Sequence, residues 1–442
     1  MHFLFTLVGL PSYSNHGGAQ TCMGIASQMR KEGHQVTVLS MFDTSTENPY
    51  GDFKKQNEEC LKEIGIKTTY IDYDYYRLIN NKPKPHLFWK MLRWSRELFS
   101  PQMQDYYPWI YLQKEVIAKV CEIQPDTIFC YHWEPLAALY GFREFPKIAG
   151  LGDPTHLPLK EIWKISKVEI NFKYLKFSLR TAIAQNSTIH LMKKLLKDCD
   201  EYGFFAAHYC KWAKTQGLQK ARYFQSPIAD PLLNKNWKEE RKKNKQNKPK
   251  ILMIGDLAGT ATKQGLKLFA LEILPLLEKA IGETHFEVHL IGKGDVSEDL
   301  RQALNKKNIK LRGRVDPPDV EFLSSDILLV PTPTNLGIRV RILTGFAYGN
   351  CIVSHTANSF GIPELVHEKN ALLSSTGVGL AEQIIKVIKN SKLQSDLQEG
   401  ARNTFESTFA KDKAAHSIIE LLMDSGGVEP PSASSSTSDL HA

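Results

Sequence analysis

The chain has 442 residues, 42% of them hydrophobic and 24% charged, which is ordinary globular usage and excludes a fibrous or wholly disordered protein. That length exceeds one typical core and predicts two or three domains. A net charge of +8 favours anionic ligands or an anionic surface and is too small to mark a nucleic-acid binder.

Residues 2–9 form a short, fully apolar run of the kind found in parallel sheets. A Gly-containing loop and a helix over about 19–31 follow, then a strand at 34–40 (HQVTVLS), a helix over roughly 53–63, and strands at 66–72, 126–132 and 147–151. The opening MHFLFTLVGL lacks the basic segment and small-residue cleavage site of a secretory signal, so it reads as the first strand. Between the halves, NKNWKEERKKNKQNKPK (234–250) holds eight Lys/Arg and two Glu, a run that reads as a solvated, flexible linker.

The alternation restarts with PKILMIGD (249–256) and a helix with Leu266, Phe269, Ala270, Ile273, Leu277 and Ala280 on one face. Later strands are expected at 286–292, 308–313, 326–331, 350–355 and 370–375. The tail SGGVEPPSASSSTSDLHA (425–442) is low-complexity and reads as disordered. The pattern predicts an α/β protein with two doubly wound parallel-sheet domains, 1–233 and 251–403, facing across a cleft. Ligands of such sheets bind outside the carboxyl ends of the strands.

The seven cysteines (22, 60, 121, 130, 199, 210 and 351) are odd in number and scattered, with no CxxC pair. They read as reduced thiols of a cytoplasmic protein, with no disulfide frame and no metal site. No run approaches the roughly 20 apolar residues of a membrane span. There is no GxGxxG after a strand, no GxxxxGK[ST], no GxSxG and no HExxH; GKGD (292–295) and GVGLAE (377–382) lack the full glycine spacing. Nicotinamide dehydrogenases, P-loop NTPases, α/β-hydrolases and zinc proteases are thereby disfavoured.

Three segments offer chemistry. HGGAQ (16–20) follows the first strand; Gly17 and Gly18 let backbone approach a ligand, or form a plain tight turn. In NLGIRVRILTGFAYG (335–349), Gly337 is expected to open a helix that Gly349 ends. Ile338, Ile342 and Phe346 would form its buried stripe, with Arg339 and Arg341 in the first turn. Two arginines at a positive helix end repel it unless an anion is there, and a diphosphate would satisfy both; the alternative is a pair of solvated surface arginines. In HTANSFGIPELV (355–366), Ser359 and Gly361 make a polar loop, Pro363 pre-sets a helical first turn and Glu364 sits just inside it, forming an anion nest or ordinary capping chemistry.

With ILMIGDL, FEVHLIGKGD, KLRGRV, SSDILLVPTPTNLGIRVRILTGFAYGNCIVS and FGIPELVHEKNALL in this order, the sequence resembles family 4 of the retaining GT-B-fold glycosyltransferases. The likeness spans nearly the whole chain and is strongest over 249–400, with GIRVRIL to GIPELV its specific part. The resemblance implies two Rossmann-like domains, a final helix (404–424) crossing back to the first domain, and metal-independent transfer of a sugar from a nucleotide diphosphate sugar, with no further cofactor. It places Gly17 and Gly18 near donor diphosphate and acceptor, and Arg339 and Lys263 on the phosphates with Arg341 secondary. Ser359, Gly361 and their neighbours would add backbone donors, and their role is stabilising charge on the departing diphosphate.

Two departures stand out. Where relatives commonly carry two glutamates eight residues apart, this chain has Leu336 and Thr344, and Thr344 offers the nucleotide ribose only a shorter hydroxyl. Where relatives often place a histidine near the acceptor, the segment is LGDPTH, with Gly152 in the matching position and Asp153 and His156 beside it. His132 and Glu134, in YHWEP at the preceding strand end, are also placed to line the cleft, Glu134 on the acceptor side. Asp153, His156 and His132 are the catalytic candidates, with a loop or surface role as the alternative for each. Retaining transfer in this fold does not demand an enzymic base, since the leaving phosphate can take the acceptor's proton.

HLFWKMLRWSRELF (86–99) interleaves aromatics with Lys90, Arg93 and Arg96. It reads as a core-facing helix with solvated basic residues, or as a peripheral contact with an anionic membrane or lipid-linked acceptor. The expected function is a cytoplasmic glycosyltransferase using a nucleotide sugar and a glycan or lipid-linked acceptor, without nucleic acid. A degenerate chain of the same fold that binds without turnover is the alternative, and a sugar-nucleotide epimerase is disfavoured by the lack of additional carboxylates.

Overall fold

Phe3, Leu4 and Phe5 are fully buried because β1 (His2–Val8) runs through the middle of a parallel sheet covered on both faces. The computed structural model describes residues 1–12, 17–44, 54–75, 78, 101–154, 185–296 and 298–426. The other strands of the first sheet are β2 (Gln35–Asp43), β3 (Lys67–Tyr73), β4 (Thr127–Tyr131), β5 (Lys147–Leu151), β6 (Glu201–Phe204) and β7 (Arg222–Tyr223). Their order is β3-β2-β1-β4-β5-β6-β7. Phe5 of β1 lies opposite Val38 on one side and Phe129 on the other.

The second sheet repeats the plan with β8 (Lys250–Ile254), β9 (Glu287–Ile291), β10 (Ile309–Gly313), β11 (Ile327–Val330), β12 (Cys351–His355) and β13 (Ala371–Ser374). Its order is β10-β9-β8-β11-β12-β13. Every pairing within both sheets is parallel, and helices run between the strands. The architecture is the two-domain, Rossmann-like GT-B fold. Strand order reverses between β1 and β4 and between β8 and β11, so the crevices that receive ligands lie beyond those strand ends.

The sequence pattern does not mark β6 and β7, because EYGF is short and holds a glycine, and RY is only two residues long. Both exist by tertiary pairing along the edge of the first sheet. The helix expected after β8 is there, with Leu266, Phe269, Ile273 and Leu277 buried; a π-turn at Phe269–Ile273 interrupts it, and Ala280 is exposed.

The basic segment 234–250 is not the solvated, flexible linker its composition suggested. Trp237–Asn244 is a helix capped by the Asn236 side chain. Arg241 is buried, donating to the carbonyls of Phe322 (3.1 Å), Ser325 (2.5 Å) and Tyr348 (3.5 Å). Those carbonyls lie at helix carboxyl ends, where a cation is favoured.

The expected 404–424 helix is broken. A π-turn at Phe405–Phe409 and a short helix at Lys411–Ala414 precede the last helix, His416–Ser425. Ile418, Ile419, Leu422 and Met423 of that helix pack with Phe3, Phe5 and Met23 under the first sheet, and Thr127 Oγ1 donates to the Leu422 carbonyl at 3.1 Å. Residues 427–442 of the expected tail lie outside the described residues, as does 86–99. Among the described residues no helix is long and apolar enough to cross a membrane.

Candidate active site between the two sheets

After β11 the chain turns at Gly337, whose φ of +58° is a conformation that side chains strain. The helix that follows runs from Val340 to Ala347, three residues later than the sequence suggested, with Ile342 and Phe346 fully buried and Ile338 partly so. Arg339 therefore stands at the N-cap and Arg341 in the first turn.

Arg339 Nη2 donates to the Thr334 carbonyl (3.2 Å) and Oγ1 (3.1 Å), while its Nε is buried without a partner. Arg341 lies deeper. Its Nη1 donates to the Ile254 carbonyl (2.5 Å) and more weakly to Thr262 Oγ1 (3.4 Å), and Nη2 reaches Thr332 Oγ1 (3.4 Å). Arg341 is thus a brace under the end of β8, not one of a pair of solvated surface arginines. Burial, with the Arg339 charge behind it, pulls Arg341 down to about 9. Burial also lowers Arg339, against the opposing pull of Asp153 and Tyr209. Neither guanidinium makes a direct ion pair among the described residues. Arg241 satisfies its charge on negative helix ends, whereas this pair sits at a positive one.

Lys263 lies in the Thr260–Leu268 helix after β8, exposed, with no ammonium partner among the described residues. Thr344 Oγ1 donates to the Val340 carbonyl at 3.1 Å, which spends its proton inside the helix.

The facing wall comes from the first sheet. Asp153 follows β5; its carbonyl accepts from Trp133 Nε1 at 3.1 Å, and its carboxylate accepts from the Tyr209 hydroxyl. That hydroxyl in turn accepts from the Gly337 N–H at 2.7 Å, linking the two domains. A Cβ on Gly337 would lie 2.8 Å from Asp153 Oδ1, so only glycine admits this contact. Burial raises the Asp153 carboxyl above its usual range, with Tyr209 and then Arg339 pulling it back.

His132 ends β4 at φ +71° and donates its N–H to the Gly150 carbonyl at 2.8 Å. Its ring lies against Tyr131, centroids 4.3 Å apart, and fills the space a Gly152 side chain would take, 2.0 Å from the Cβ position. Glu134 opens the Trp133–Ala138 helix. Burial raises its carboxyl; burial first, and then neighbouring carboxylates including Glu134, raise the hydroxyls of Tyr73 and Tyr75. His156 lies outside the described residues.

Gly17 begins the Gly17–Lys31 helix, and a Cβ there would lie 2.5 Å from Val340 Cγ2. Two helix N-termini, one from each domain, therefore meet beside Arg339. Gly17 serves that approach, and Gly18 follows it half-buried in the first turn.

The helix expected to open at Pro363 in the 355–366 segment, with Glu364 just inside it, is not formed. Thr356–Phe360 is a 3-10 turn, and the Asn370 side chain ties the next turn to Glu364 O and Val366 N. Ser359 Oγ donates to Thr356 O at 2.9 Å. Gly361 packs on the Gly337 carbonyl, 2.7 Å from its Cβ position, and its own carbonyl accepts from Ala207 N at 3.1 Å. Glu364 accepts from the Tyr223 hydroxyl at 3.0 Å. This loop is a seam between the domains.

The structure thus gathers Gly17, Asp153, Gly337, Arg339 and Gly361 at one place. It adds Thr334, His208 and Tyr209, which no local motif marks. Among the described residues there is no cluster of three metal-ligating side chains.

No family profile matches the chain, and no curated protein sequence does. Solved structures do share its fold. HepE of Anabaena, determined with UDP-glucose, is 13% identical with a TM-score of 0.64, covering 96% of this chain and 100% of that one. A glycosyltransferase from Rickettsia africae is 12% identical at a TM-score of 0.62, covering 96% and 98%. Sucrose-phosphate synthase from Thermosynechococcus elongatus is 12% identical at a TM-score of 0.64, also covering 96% and 98%.

Proposed function

We propose that this GT-B chain is a glycosyltransferase of the family 4 type, moving a sugar from a nucleotide diphosphate sugar to a glycan or lipid-linked acceptor. The observation that carries the reading is the pair Arg339 and Arg341, two shielded guanidinium groups without an ion-pair partner at the positive end of the Val340–Ala347 helix. Like charges there oppose the helix dipole, and a diphosphate removes the conflict. HepE, whose structure holds UDP-glucose, supports the same choice of ligand.

In this reading Arg339 meets the diphosphate through its unpaired Nε edge, Arg341 supplies charge from beneath, and exposed Lys263 closes from solvent. The bond from the sugar's anomeric carbon to the phosphate oxygen breaks, and the electron pair leaves with the diphosphate. Arg339, Lys263 and the helix N–H groups stabilise that charge where it develops. The acceptor oxygen bonds to the same face of the anomeric carbon, which retains configuration, and its proton passes to the leaving phosphate. Asp153 and His132 line the opposite wall.

The test is release of nucleoside diphosphate from a panel of nucleotide sugars by wild type and Arg339→Ala. Slow release from one donor, lost in the variant, is the expected result. Equal release by both refutes the site. Binding of a nucleotide sugar without any release, with or without glycan acceptors, favours a chain that binds without turnover, the reading that Thr344 and its internal hydrogen bond keep open.

A further inference from the structure

The carboxyl ends of β2, β3 and β4 bring aromatic and acidic side chains together at one corner of the first sheet. Asp43 and Tyr73 are the last residues of β2 and β3 and pair in register. Just beyond them the Tyr75 N–H donates to Asp43 Oδ1 at 3.2 Å, and 36% of Tyr75 stays exposed. Its ring lies 6.1 Å from that of Trp109, tilted by 37°, and Trp109 packs partly buried on the core below. Glu134 completes the corner from beyond β4. It is half-buried, and its carboxylate accepts from the backbone at the start of its own helix. With Asp43 it acts on the Tyr73 and Tyr75 hydroxyls. Trp133 beside it donates to the Asp153 carbonyl at 3.1 Å, and Glu134 and Asp153 both act on the Tyr131 hydroxyl. The corner therefore adjoins the Asp153 wall of the cleft.

The chemistry of this corner selects what it can hold. An ionised carboxylate only accepts hydrogen bonds, so Asp43 and Glu134 together suit a ligand rich in donors. An exposed tyrosine ring offers a flat apolar face, and small-ligand sites combine such faces with a few placed polar groups. Among the described residues, no cation is among the charges acting on Tyr75 or Glu134. Lys54, from the neighbouring helix, lies over the Tyr70 ring at 4.0 Å, and Tyr70 packs on the opposite face of the sheet from Tyr73. A phosphate would meet the like charge of Asp43 and Glu134 here. An uncharged sugar instead donates its hydroxyls to the carboxylates and covers the ring with its C–H face. The donor's diphosphate belongs with the arginines on the other wall; this corner suits the second substrate.

We propose that this corner is the acceptor subsite and takes an uncharged saccharide ring, laid on Tyr75 with hydroxyls donated to Glu134 and Asp43. The inference rests on the glycosyltransferase reading above and narrows its acceptor: the sugar that receives the transfer carries no phosphate. Losing the ring face costs about 2–12-fold in acceptor KM. Neutralising Glu134 costs about 5–12-fold, as a charge-assisted hydrogen bond becomes a neutral one, and it also weakens the repulsion of phosphate.

Nucleoside diphosphate release by the full chain tests it, with the nucleotide sugar that the chain cleaves and a panel of neutral mono- and oligosaccharides beside the same sugars as 1-phosphates. In wild type a neutral saccharide accelerates release and its 1-phosphate does not. Tyr75→Ala raises KM for that saccharide about 2–12-fold. Tyr75→Phe keeps the wild-type value, and both variants bind the nucleoside diphosphate in calorimetry as wild type does. Glu134→Gln raises KM and narrows the gap between the sugar and its 1-phosphate, which a mere loss of packing would not do. The proposal is overturned if no neutral saccharide accelerates release, if the 1-phosphates are the better acceptors, or if Tyr75→Ala and Glu134→Gln leave acceptor KM unchanged. If wild type neither binds nor cleaves any nucleotide sugar, the glycosyltransferase reading itself falls and takes this inference with it.

Discussion

Replacing Arg339 with alanine separates ligand binding from structural support, because the two effects differ in size. The change removes two hydrogen bonds to Thr334, together about 1–3 kcal/mol at 0.5–1.5 kcal/mol each. It also relieves a cation at a positive helix end beside Arg341, returning about 0.3–1 kcal/mol. The unliganded variant should therefore be about 1 kcal/mol less stable, a fall in Tm of about 2–4 °C for a domain of this size.

The loss in binding is larger. A hydrogen bond to a charged group contributes about 1.5–3 kcal/mol, which is about 10–150-fold in Kd. At a nucleoside diphosphate concentration 100 times the wild-type Kd, the ligand stabilises wild type by about 2.7 kcal/mol, or about 5–11 °C. A site weakened a hundredfold retains about 0.4 kcal/mol, or about 1–2 °C. Differential scanning calorimetry with and without ligand reads both numbers. An undiminished ligand shift in Arg339→Ala refutes the diphosphate assignment. An unliganded Tm more than about 10 °C lower shows that Arg339 is chiefly a structural cation.

Other perturbations test the rest of the framework. Arg241→Met strands the Phe322, Ser325 and Tyr348 carbonyls and should cost about 2–4 kcal/mol in urea unfolding; a cost near zero would return 234–250 to the status of a loose linker. Gly17→Ala drives a methyl into Val340 and should weaken donor binding by about 1–3 kcal/mol, with Val340→Ala restoring it; a variant indistinguishable from wild type rules out the close approach of the two helices. Asp153 has a folded pKa above its unfolded one, so it binds its proton more readily when folded and its contribution to stability falls as pH rises between the two values. Asp153→Asn, which still accepts from Tyr209, should gain stability relative to wild type across that window and hold the gain above it. Parallel Tm curves from pH 4 to 8 would contradict the burial of the carboxylate.

Much of this was legible in the chain alone. Parallel strands buried on both faces must be continuous apolar runs, so β1, β4, β5, β8, β11 and β12 announce themselves, and their alternation with helices leaves a doubly wound sheet as the economical arrangement. Arg339 stood out for a local reason too, since a cation at a helix N-terminus conflicts with the dipole within a few residues of sequence. What tertiary structure alone decided are contacts between residues far apart in the chain. Asp153, Tyr209 and Gly337 meet only when the domains face one another, and nothing near Tyr209 in sequence marks its hydroxyl. Glu364 pairs with Tyr223 on a strand too short to read. Composition made 234–250 a solvated linker, yet Arg241 is buried because carbonyl ends of two other helices converge on it. Local propensity and dipole conflict are properties of a few neighbouring residues and survive in sequence; charge compensation and close approach depend on which surfaces the fold brings together.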